Sequence, residues 1–486
     1  MKRKIYLVYP HEKTHFVRLS LSLLSIASTL EPAGYDVKII DMRFQDHLKV
    51  NFSDALFVGL TSFTGSNLKS GLEFSRYIKK KYPKVPIVWG GVHASILSIQ
   101  TIRNENIDII VRGEGDVTVV ELADALSKGK PLNKINGLTF KDKDGKIVNT
   151  PEREFIDMNK LPKPAYHLVD LTKAETTLGH FPYNGSRGCP HRCKFCFNVN
   201  FHKRKWRGVT AERTLDDIED IIRVSGTKGI EFTEDNFFTN KERIRQIAQG
   251  LIDRKIKITW GAACRMDYFA KYEIEFLKML KRSGLDLMSG GAESGSQRIL
   301  DLVNKDIKVE DTIVAVAKAK EAGIVPCLSF IYGVPSETKE DVFKTLNLID
   351  KLKKINPDTQ VNGIFAFTIY PGDPLVEDCK KLGYKEPKSL EGWANHNLSD
   401  FNTQVWLNKK EIAWLETIGD IIRFDYFNQT GRVYDNLNVK WHYIPYLIMR
   451  AVYTVSARLR WRLRYFHHAY EWRLWSWVKE KYLGHF

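Results

Sequence analysis

Short runs of β-branched residues alternate with amphipathic helical patterns from residue 4 to about residue 125. Such alternation is typical of a parallel sheet with helices on both faces. Five strands of an open, doubly wound sheet are predicted, at residues 5–8, 37–40, 56–60, 87–89 and 109–111. Because ligands of this architecture bind outside the carboxyl ends of the strands, the Gly-rich loops after these runs are candidate ligand contacts.

The same alternation returns between residue 183 and about residue 383, where it predicts a partial or complete (β/α) barrel. Chemistry in such a barrel belongs at the carboxyl ends of the strands. We therefore expect an α/β chain in four parts: a Rossmann-like domain at 1–130, a β appendage and linker at 131–182, the barrel at 183–385, and a mostly helical region at 386–486.

Length, cysteine usage and charge limit the class of protein. The 486 residues suit roughly two or three domains. The six cysteines lack the paired spacings of a secreted disulfide framework, so a reduced, cytoplasmic setting is expected. No window approaches the ~20 uninterrupted apolar residues that a membrane-spanning helix requires. The formal charge of +16 favours an anionic partner such as nucleic acid, a phospholipid surface or a phosphorylated substrate.

Three cysteines crowd into one short segment in a C-x3-C-x2-C pattern: Cys189, Cys193 and Cys196. Three thiolates can hold an iron-sulfur cubane and leave one iron without a protein ligand, so that this iron can bind a small molecule. The alternative is a zinc knuckle completed by His191 or His202. The other cysteines have no close cysteine neighbour and are expected to be small core residues: Cys264, Cys327 and Cys379.

The motif, with Phe195 before its third cysteine, resembles the radical S-adenosylmethionine superfamily, and in particular its cobalamin-associated branch. Four further segments match in order, at residues 230–237, 289–296, 329–338 and 370–375. In the last one Asp373 replaces the usual threonine, a departure expected to affect only a turn. The resemblance implies that the open iron of a [4Fe-4S] cluster chelates the methionine moiety of S-adenosylmethionine, whose reductive cleavage gives a 5′-deoxyadenosyl radical.

The same resemblance implies S-adenosylmethionine contacts at the strand ends of the barrel. The implied residues are Glu234, Asp235, Arg265, Glu293, Ser294 and Tyr332. Each of the three carboxylates could instead be an ordinary loop charge or helix cap. Arg265 could instead pair with Asp267.

The N-terminal block lacks the G-x-G-x-x-G turn, so a nicotinamide cofactor is not expected. Placed before this barrel, it resembles the cobalamin-binding domain of the same enzyme branch. The implied cobalamin-contacting residues are Thr61, Ser62, Thr64, Gly90, Gly91, His93, Gly113 and Glu114. Residues 46–49 do not match the Asp-x-His-x-x-Gly loop of classical cobalamin enzymes, so the cobalt is expected to lack a protein imidazole. For His93, a hydrogen bond to the loop or the corrin is favoured over cobalt ligation.

Tryptophan, tyrosine and arginine are dense in residues 441–486, among them Arg458, Arg460, Trp461, Arg462, Arg464, Tyr465, Trp472, Arg473, Trp475 and Trp477. This composition suits an interfacial helix at a membrane surface. It also suits aromatic side chains that cap the barrel while the arginines remain solvated, or RNA binding through base stacking and phosphate contacts. Composition alone leaves the three alternatives open.

The family resemblance favours C-methylation of an unactivated carbon in a small-molecule or lipid-like substrate. A reductant such as flavodoxin or ferredoxin is an implied partner, nucleic acid is not an expected one, and peripheral membrane contact of a cytoplasmic enzyme stays open. The alternatives are radical-mediated cyclisation or oxidation of a lipid-like or tetrapyrrole-like substrate, a cobalamin-free RNA-modifying enzyme, and a non-enzymatic metal-binding module. Against the RNA-modifying enzyme, the N-terminal block lacks the three cysteines of an auxiliary cluster.

Overall fold

The computed structural model describes residues 4–12, 19–171, 180–396, 401, 403–426, 444–467 and 471. Two mainly parallel sheets dominate it, one of seven strands and one of six. Each sheet is covered by helices that bury apolar side chains against it. The α/β architecture predicted from the alternating sequence pattern is confirmed.

The N-terminal sheet contains β1 (Lys4–Tyr9), β2 (Asp36–Asp41), β3 (Ala55–Thr61), β4 (Ile87–Gly90), β5 (Ile109–Val111), β6 (Leu138–Lys141) and β7 (Ile147–Asn149). Its strand order is β2-β1-β3-β4-β5-β6-β7. The first five strands are parallel and coincide with the five predicted ones to within one residue at each end. Their order places a topological switch point between β1 and β3, where ligands of doubly wound sheets bind.

Five helices cover this sheet: α1 (Leu21–Leu30), α2 (Ser66–Lys81), α3 (Val92–Ile96), α4 (Ser98–Ile102) and α5 (Gly115–Lys128). Helix α5 ends where Gly129 takes a left-handed conformation with φ of 62°. The β6–β7 hairpin, which lies in the segment predicted to be an appendage, extends the sheet through antiparallel pairing of β6 with β5.

The second sheet contains six parallel strands in chain order: β8 (Phe181–Tyr183), β11 (Gly229–Phe232), β12 (Thr259–Ala263), β13 (Leu285–Glu293), β14 (Val325–Tyr332) and β15 (Gln360–Ala366). It is the predicted barrel in its partial form, with β8 and β15 at its two edges. A short pair, β9 (Ser186–Arg187) and β10 (Arg207–Gly208), flanks the cysteine segment. Strand β15 was predicted at residues 363–369 and lies three residues earlier, because its partner β14 already ends at Tyr332.

The helices between these strands are α6 (Asn198–Phe201), α7 (Ala211–Ser225), α8 (Lys241–Asp253), α9 (Met266–Lys271), α10 (Ile274–Arg282), α11 (Gln297–Leu302), α12 (Val309–Ala322) and α13 (Lys339–Ile355). After β15 follow α14 (Val376–Lys381), α15 (Leu390–Trp393), α16 (Lys409–Tyr426) and α17 (Ile444–Leu463). Within the described residues, no helix is both long enough and apolar enough to cross a membrane.

The region predicted as one C-terminal unit contacts both sheets. Leu390 and Trp393 on α15 are buried in a core cluster of the N-terminal sheet. Tyr453 and Trp461 on α17 are buried in the core of the barrel. Trp472, Arg473, Trp475 and Trp477, which contributed to the C-terminal composition argument, lie outside the described residues.

Partly buried ion pairs join the N-terminal sheet to the start of the barrel. Asp116, at the start of α5, accepts two hydrogen bonds from the Arg187 guanidinium, at 2.7 and 3.1 Å, and one from Ser25 Oγ at 2.5 Å. Arg207 donates two hydrogen bonds to Glu114, both 2.8 Å long. Arg187 and Arg207 belong to the short β9–β10 pair, so two fork-shaped arginine contacts fix the cysteine segment against the N-terminal sheet.

We expect Asp116→Asn to destabilise the contact between the two sheets. The neutral amide keeps the shape but removes a charged acceptor from Arg187, a loss of about 2 kcal/mol for a hydrogen bond to a charged group. The measurement is the urea midpoint of the first unfolding transition. Asp124→Asn is the matched control, because Asp124 forms an exposed pair with Lys128 on the same helix. Equal midpoints for the two variants would contradict the prediction.

Candidate functional site

The three clustered cysteines lie on a loop between β9 and α6, at the carboxyl end of the barrel sheet. Gly188 before the loop has φ of 84°, and a side chain there would collide with the Lys205 carbonyl. Burial raises the pKa of Cys189 and raises that of Cys196 to about 12. Because the thiolate is the metal-binding form, a metal bound by these partly buried thiols would have to displace their protons.

Two side chains direct N–H groups at the cysteine sulfurs. Asn236 Nδ2 donates to Cys189 Sγ at 3.7 Å, and Arg265 Nη1 donates to Cys193 Sγ at 3.7 Å. Donors of this kind stabilise anionic sulfur and tune the potential of a cluster bound to it. The buried thiols and their donors therefore fit an iron-sulfur cluster at this loop.

The two histidines of the zinc alternative have other partners. His191 Nε2 lies 2.6 Å from the Tyr268 hydroxyl. His202 lies between Glu114 and Asp235, 3.9 Å from each carboxylate. Among the residues described, no three His, Cys, Asp or Glu side chains are arranged to hold a single metal ion.

The acidic residues after β11 have different surroundings. Glu234 is buried and accepts hydrogen bonds from Gly185 N, at 2.8 Å, and from the Ser186 hydroxyl. Burial raises the pKa of Glu234, although Arg243 and these hydrogen bonds act in the opposite direction. Asp235 accepts from Gly188 N at 3.1 Å, and it lines the large cavity described below. Of the two, Asp235 is thus the one exposed to a ligand.

Arg265 is buried and held in place by several partners. Its Nε donates to Asp267 at 3.0 Å, which is the pairing weighed in the sequence analysis. Its Nη2 donates to the carbonyls of Lys305, at 2.7 Å, and Asp306, at 3.3 Å. With Nη1 directed at Cys193, the guanidinium ties the loop after α11 to the cysteine loop.

Glu293 ends β13 in a left-handed conformation, with φ of 59°, which is rare for a long side chain. Lys305 Nζ donates to its carboxylate at 2.6 Å, and both side chains are buried. A side chain on Gly291 would overlap the Glu293 carboxylate in this position, so the glycine leaves room for the ion pair. Burial alone would lower the pKa of Lys305, but Glu293 and Cys193 raise it overall.

Two other residues with predicted S-adenosylmethionine contacts mainly support neighbouring elements. Ser294 is fully buried, with its hydroxyl 3.1 Å from that of Thr345 on α13. The Tyr332 ring packs against Phe401, with ring centroids 5.2 Å apart, while its backbone carbonyl accepts from Phe367 N. Asp373 accepts from Leu375 N at 2.8 Å and shapes a turn, and burial raises its pKa to about 7.

The carboxyl ends of the N-terminal strands and of the barrel strands β8 and β11 face one cavity of about 360 Å³. Its lining includes the predicted cobalamin contacts Thr61, Gly90, Gly91, Gly113 and Glu114 from the N-terminal loops, and Arg187, Phe197, Phe201, His202, Thr233 and Asp235 from the barrel. At Gly91, with φ of 88°, a side-chain carbon would lie 2.7 Å from the Ser62 nitrogen, so glycine keeps the two loops in contact. Glycine backbone and apolar side chains form part of the lining, and charged side chains such as Glu114, Arg187 and Asp235 form another part, so a ligand here would meet both kinds of group.

Ser62, Thr64 and His93 are not among the lining residues of that cavity. Ser62 Oγ donates to the Gly90 carbonyl at 2.7 Å and accepts from Ala94 N at 3.1 Å. His93 is buried, with Nδ1 2.8 Å from Thr64 Oγ1 and its ring edge-on to Trp393. Burial, followed by the charge of His396, lowers the pKa of His93 to about 3. These three residues therefore contact the loops that line the cavity, and they do not themselves line it.

Lys305, Asn236, Arg187 and Arg207 belong to the site, although no motif of the sequence predicted them as site residues. Lys305 lies twelve positions after Glu293, in the loop that follows α11. Its two neighbours in this loop, Asn304 and Asp306, have positive φ. No spacing rule connects such a lysine with the cysteines, and only the chain path brings them together. Of the lone cysteines, Cys264 and Cys379 are buried as expected, and Cys327 is partly buried.

Comparison with known protein families agrees with this geometry. Residues 183–349 match the Radical SAM superfamily, and residues 15–123 match the B12 binding domain. An uncharacterized methyltransferase of Pyrococcus horikoshii is 34% identical over 391 residues, which cover 77% of this chain and 82% of the relative. An anaerobic magnesium-protoporphyrin IX monomethyl ester cyclase of Rubrivivax gelatinosus is 27% identical over 379 residues, covering 74% of this chain and 65% of that protein.

Solved structures share the fold. The cobalamin-dependent S-adenosylmethionine radical enzyme OxsB, with aqua-cobalamin and S-adenosylmethionine bound, superposes with a TM-score of 0.75 at 20% identity, covering 100% of this chain and 76% of OxsB. The radical S-adenosylmethionine methyltransferase TsrM from Kitasatospora setae superposes with a TM-score of 0.65 at 19% identity, covering 80% of this chain and 76% of TsrM.

The cofactors are thus a [4Fe-4S] cluster, S-adenosylmethionine and cobalamin, as the sequence resemblance implied. The alternatives of a zinc module and of a cobalamin-free RNA-modifying enzyme are wrong, because both domain families match in the expected order. The chain belongs to the cobalamin-dependent radical S-adenosylmethionine enzymes.

Proposed function

We propose that this enzyme methylates an unactivated carbon of a small molecule. The observation that carries the proposal is a cavity shared by the strand ends of the B12-binding sheet and the ends of the barrel strands β8 and β11, beside the cysteine loop. Methyl transfer requires a methyl carrier and an activated substrate carbon to share one space, and this cavity provides it. The methyltransferase from Pyrococcus horikoshii, similar over most of its length, supports the same reaction class.

When bound, the cluster and S-adenosylmethionine supply the activation of a substrate C–H bond, and cobalamin supplies a carrier for the methyl group. The protein holds these groups and excludes water. Cys189, Cys193 and Cys196 would hold the cluster, and Asp235, beside the cysteine loop, would contact S-adenosylmethionine. The apolar side chains of Phe197 and Phe201 keep that part of the cavity dry.

The remaining cofactor contacts follow from the cavity lining. Thr61, Gly90, Gly91 and Gly113 would face the corrin, with Glu114 oriented toward the arginines of the barrel. We place Glu293 and Lys305 at the methionine end of S-adenosylmethionine, because the pair lies next to Cys193. Arg265, Glu234 and Ser294 hold the loops that carry these groups. Tyr332 would contribute its strand backbone to the adenine side.

A second candidate reaction is radical-mediated cyclisation or oxidation. The observation that favours it is the 27% identity to the Rubrivivax gelatinosus cyclase. The matched residues cover 65% of that protein's length. The same cavity could serve either outcome, since both begin with removal of a substrate hydrogen. For either reaction we propose flavodoxin or ferredoxin as the external one-electron donor.

The two reactions differ in the product that they form. We expect holoenzyme incubated anaerobically with methyl-deuterated S-adenosylmethionine, a chemical reductant and a metabolite extract of the source organism to yield a small molecule with the labelled methyl group. Mass spectrometry would detect this product together with 5′-deoxyadenosine. An unlabelled product that has lost two hydrogens would contradict methylation and establish the second candidate.

The Cys193→Ala variant tests the origin of this activity. Loss of one of three thiolates should abolish both the iron-sulfur absorption and the formation of 5′-deoxyadenosine. Cys379→Ala is the matched control, because Cys379 is a buried core residue after β15. Cleavage of S-adenosylmethionine by the Cys193 variant would contradict the cluster assignment.

We expect Lys305→Met to weaken S-adenosylmethionine binding while the cluster remains. Without the ammonium, the buried Glu293 carboxylate loses its 2.6 Å partner, and its repulsion of the ligand carboxylate increases. A loss of about 2 kcal/mol corresponds to roughly 30-fold weaker binding. Isothermal titration would measure the affinity, and cluster absorbance would report site integrity. Lys318→Met is the control, because Lys318 contacts only carbonyls of Ala270 and Tyr272 in its described hydrogen bonds.

The cobalt of the bound cobalamin is expected to have no protein imidazole. His93 is held by Thr64 and lies outside the cavity lining. Electron paramagnetic resonance of the cob(II)alamin state should show no nitrogen splitting that comes from a protein imidazole, so His93→Ala should leave the cobalt lines unchanged. Nitrogen splitting in the wild type that disappears in this variant would show the prediction to be wrong.

A further inference from the structure

Helix α17 presents two different faces. Tyr453, Ala457 and Trp461 are buried against the barrel helices. Trp461 Nε1 donates to Asp350 Oδ1 at 2.7 Å, and Arg464 pairs with the same carboxylate at 2.5 Å. The inner face therefore fixes the helix to α13. Its buried aromatic side chains cover the barrel, as one of the three alternatives for this region predicted.

The outer face of α17 carries an unusual apolar stripe. Among the residues that the structure describes, the four most exposed large apolar side chains all lie on this helix: Val452 at 63%, Val455 at 66%, Leu459 at 57% and Leu463 at 67%. Their spacing of three or four residues places them along one side of the helix. The stripe is about 17 Å long at 1.5 Å per residue.

Two exposed arginines, Arg458 and Arg462, accompany this stripe. Two other arginines of this region are less exposed and pair with carboxylates of the protein, Arg460 with Glu471 and Arg464 with Asp350. An apolar line with adjoining guanidinium groups matches a surface that is anionic outside and apolar beneath. The chain's net charge of +16 adds long-range attraction to the same kind of surface.

We propose that the outer face of α17 binds the surface of a bilayer that contains anionic phospholipid. Val452, Val455, Leu459 and Leu463 enter the headgroup boundary, and Arg458 and Arg462 meet lipid phosphates. The inner face keeps the helix attached to the barrel, so the whole enzyme is held at the membrane in one orientation. The proposal is independent of the methylation proposal, since it involves no cofactor.

The experiment is co-sedimentation of the full-length holoenzyme with vesicles of phosphatidylcholine alone or mixed with phosphatidylglycerol. We expect binding to the mixed vesicles that weakens, but persists in part, as salt rises, because salt screens the arginines and not the apolar contacts. The variant Val455→Asp/Leu459→Asp should lower the partition coefficient by about tenfold or more. Point variants are needed because removal of α17 would uncover the barrel core.

The matched control is Val224→Asp/Leu382→Asp. It changes the same residue types and the same net charge at other exposed positions, 50% and 44% exposed. Control protein should bind vesicles like the wild type, and both double variants should retain cluster absorbance. A second variant, Arg458→Gln/Arg462→Gln, should lose the preference for anionic vesicles.

Three outcomes would overturn the proposal. The first is no vesicle binding by the wild type, and the second is equal binding by the α17 variant and the wild type. The third is a concentration-dependent dimer, seen by sedimentation velocity without vesicles and abolished by the α17 substitutions, together with absent lipid binding. That outcome would assign the stripe to a second copy of the chain.

Discussion

The pairing of Arg187 and Arg207 with Asp116 and Glu114 is the contact on which the site depends. Two sheets with parallel strands each expose a carboxyl edge, and nothing within either sheet aligns those edges. Each guanidinium donates two hydrogen bonds to one carboxylate, so the two contacts fix both the distance between the sheets and their relative orientation at this edge. A shared cavity, in which chemistry at the cysteine loop reaches a ligand of the N-terminal loops, is the consequence.

The cysteine loop is positioned in the same way by parts of the chain that are distant in sequence. It has little secondary structure of its own, and Lys194 N donates to the Val303 carbonyl at 2.9 Å. Arg265 bridges from β12 to the Lys305 carbonyl and to Cys193. Because each of these groups is buried, loss of one partner leaves an unpaired donor or charge. Such a loop is held in one geometry, which a cluster with three protein ligands requires.

Several polar residues that resemble cofactor ligands act mainly on the protein. Glu234 holds Gly185 and Ser186, Ser62 joins the loops after β3 and β4, and His93 contacts Thr64 and Trp393. These side chains are buried, and hydrogen bonds within the protein satisfy the carboxylate of Glu234, the hydroxyl of Ser62 and Nδ1 of His93, whereas Nε2 of His93 has no partner among the described residues. Asp235 and Gly91, by contrast, line the cavity, and we propose them as cofactor contacts together with the buried pair of Glu293 and Lys305.

The sequence by itself determined the two α/β blocks and the strands to within a few residues, and it predicted three cysteines as cluster ligands, because periodicity and short spacing are local properties of a chain. Family motifs extended this to the three cofactors. Only the tertiary structure decided that Lys305 lies beside Glu293, that Glu114 faces two arginines rather than solvent, and that α17 buries one face and exposes the other. These are contacts between residues far apart in sequence, set by how the two sheets and their helices pack, and no local pattern encodes them.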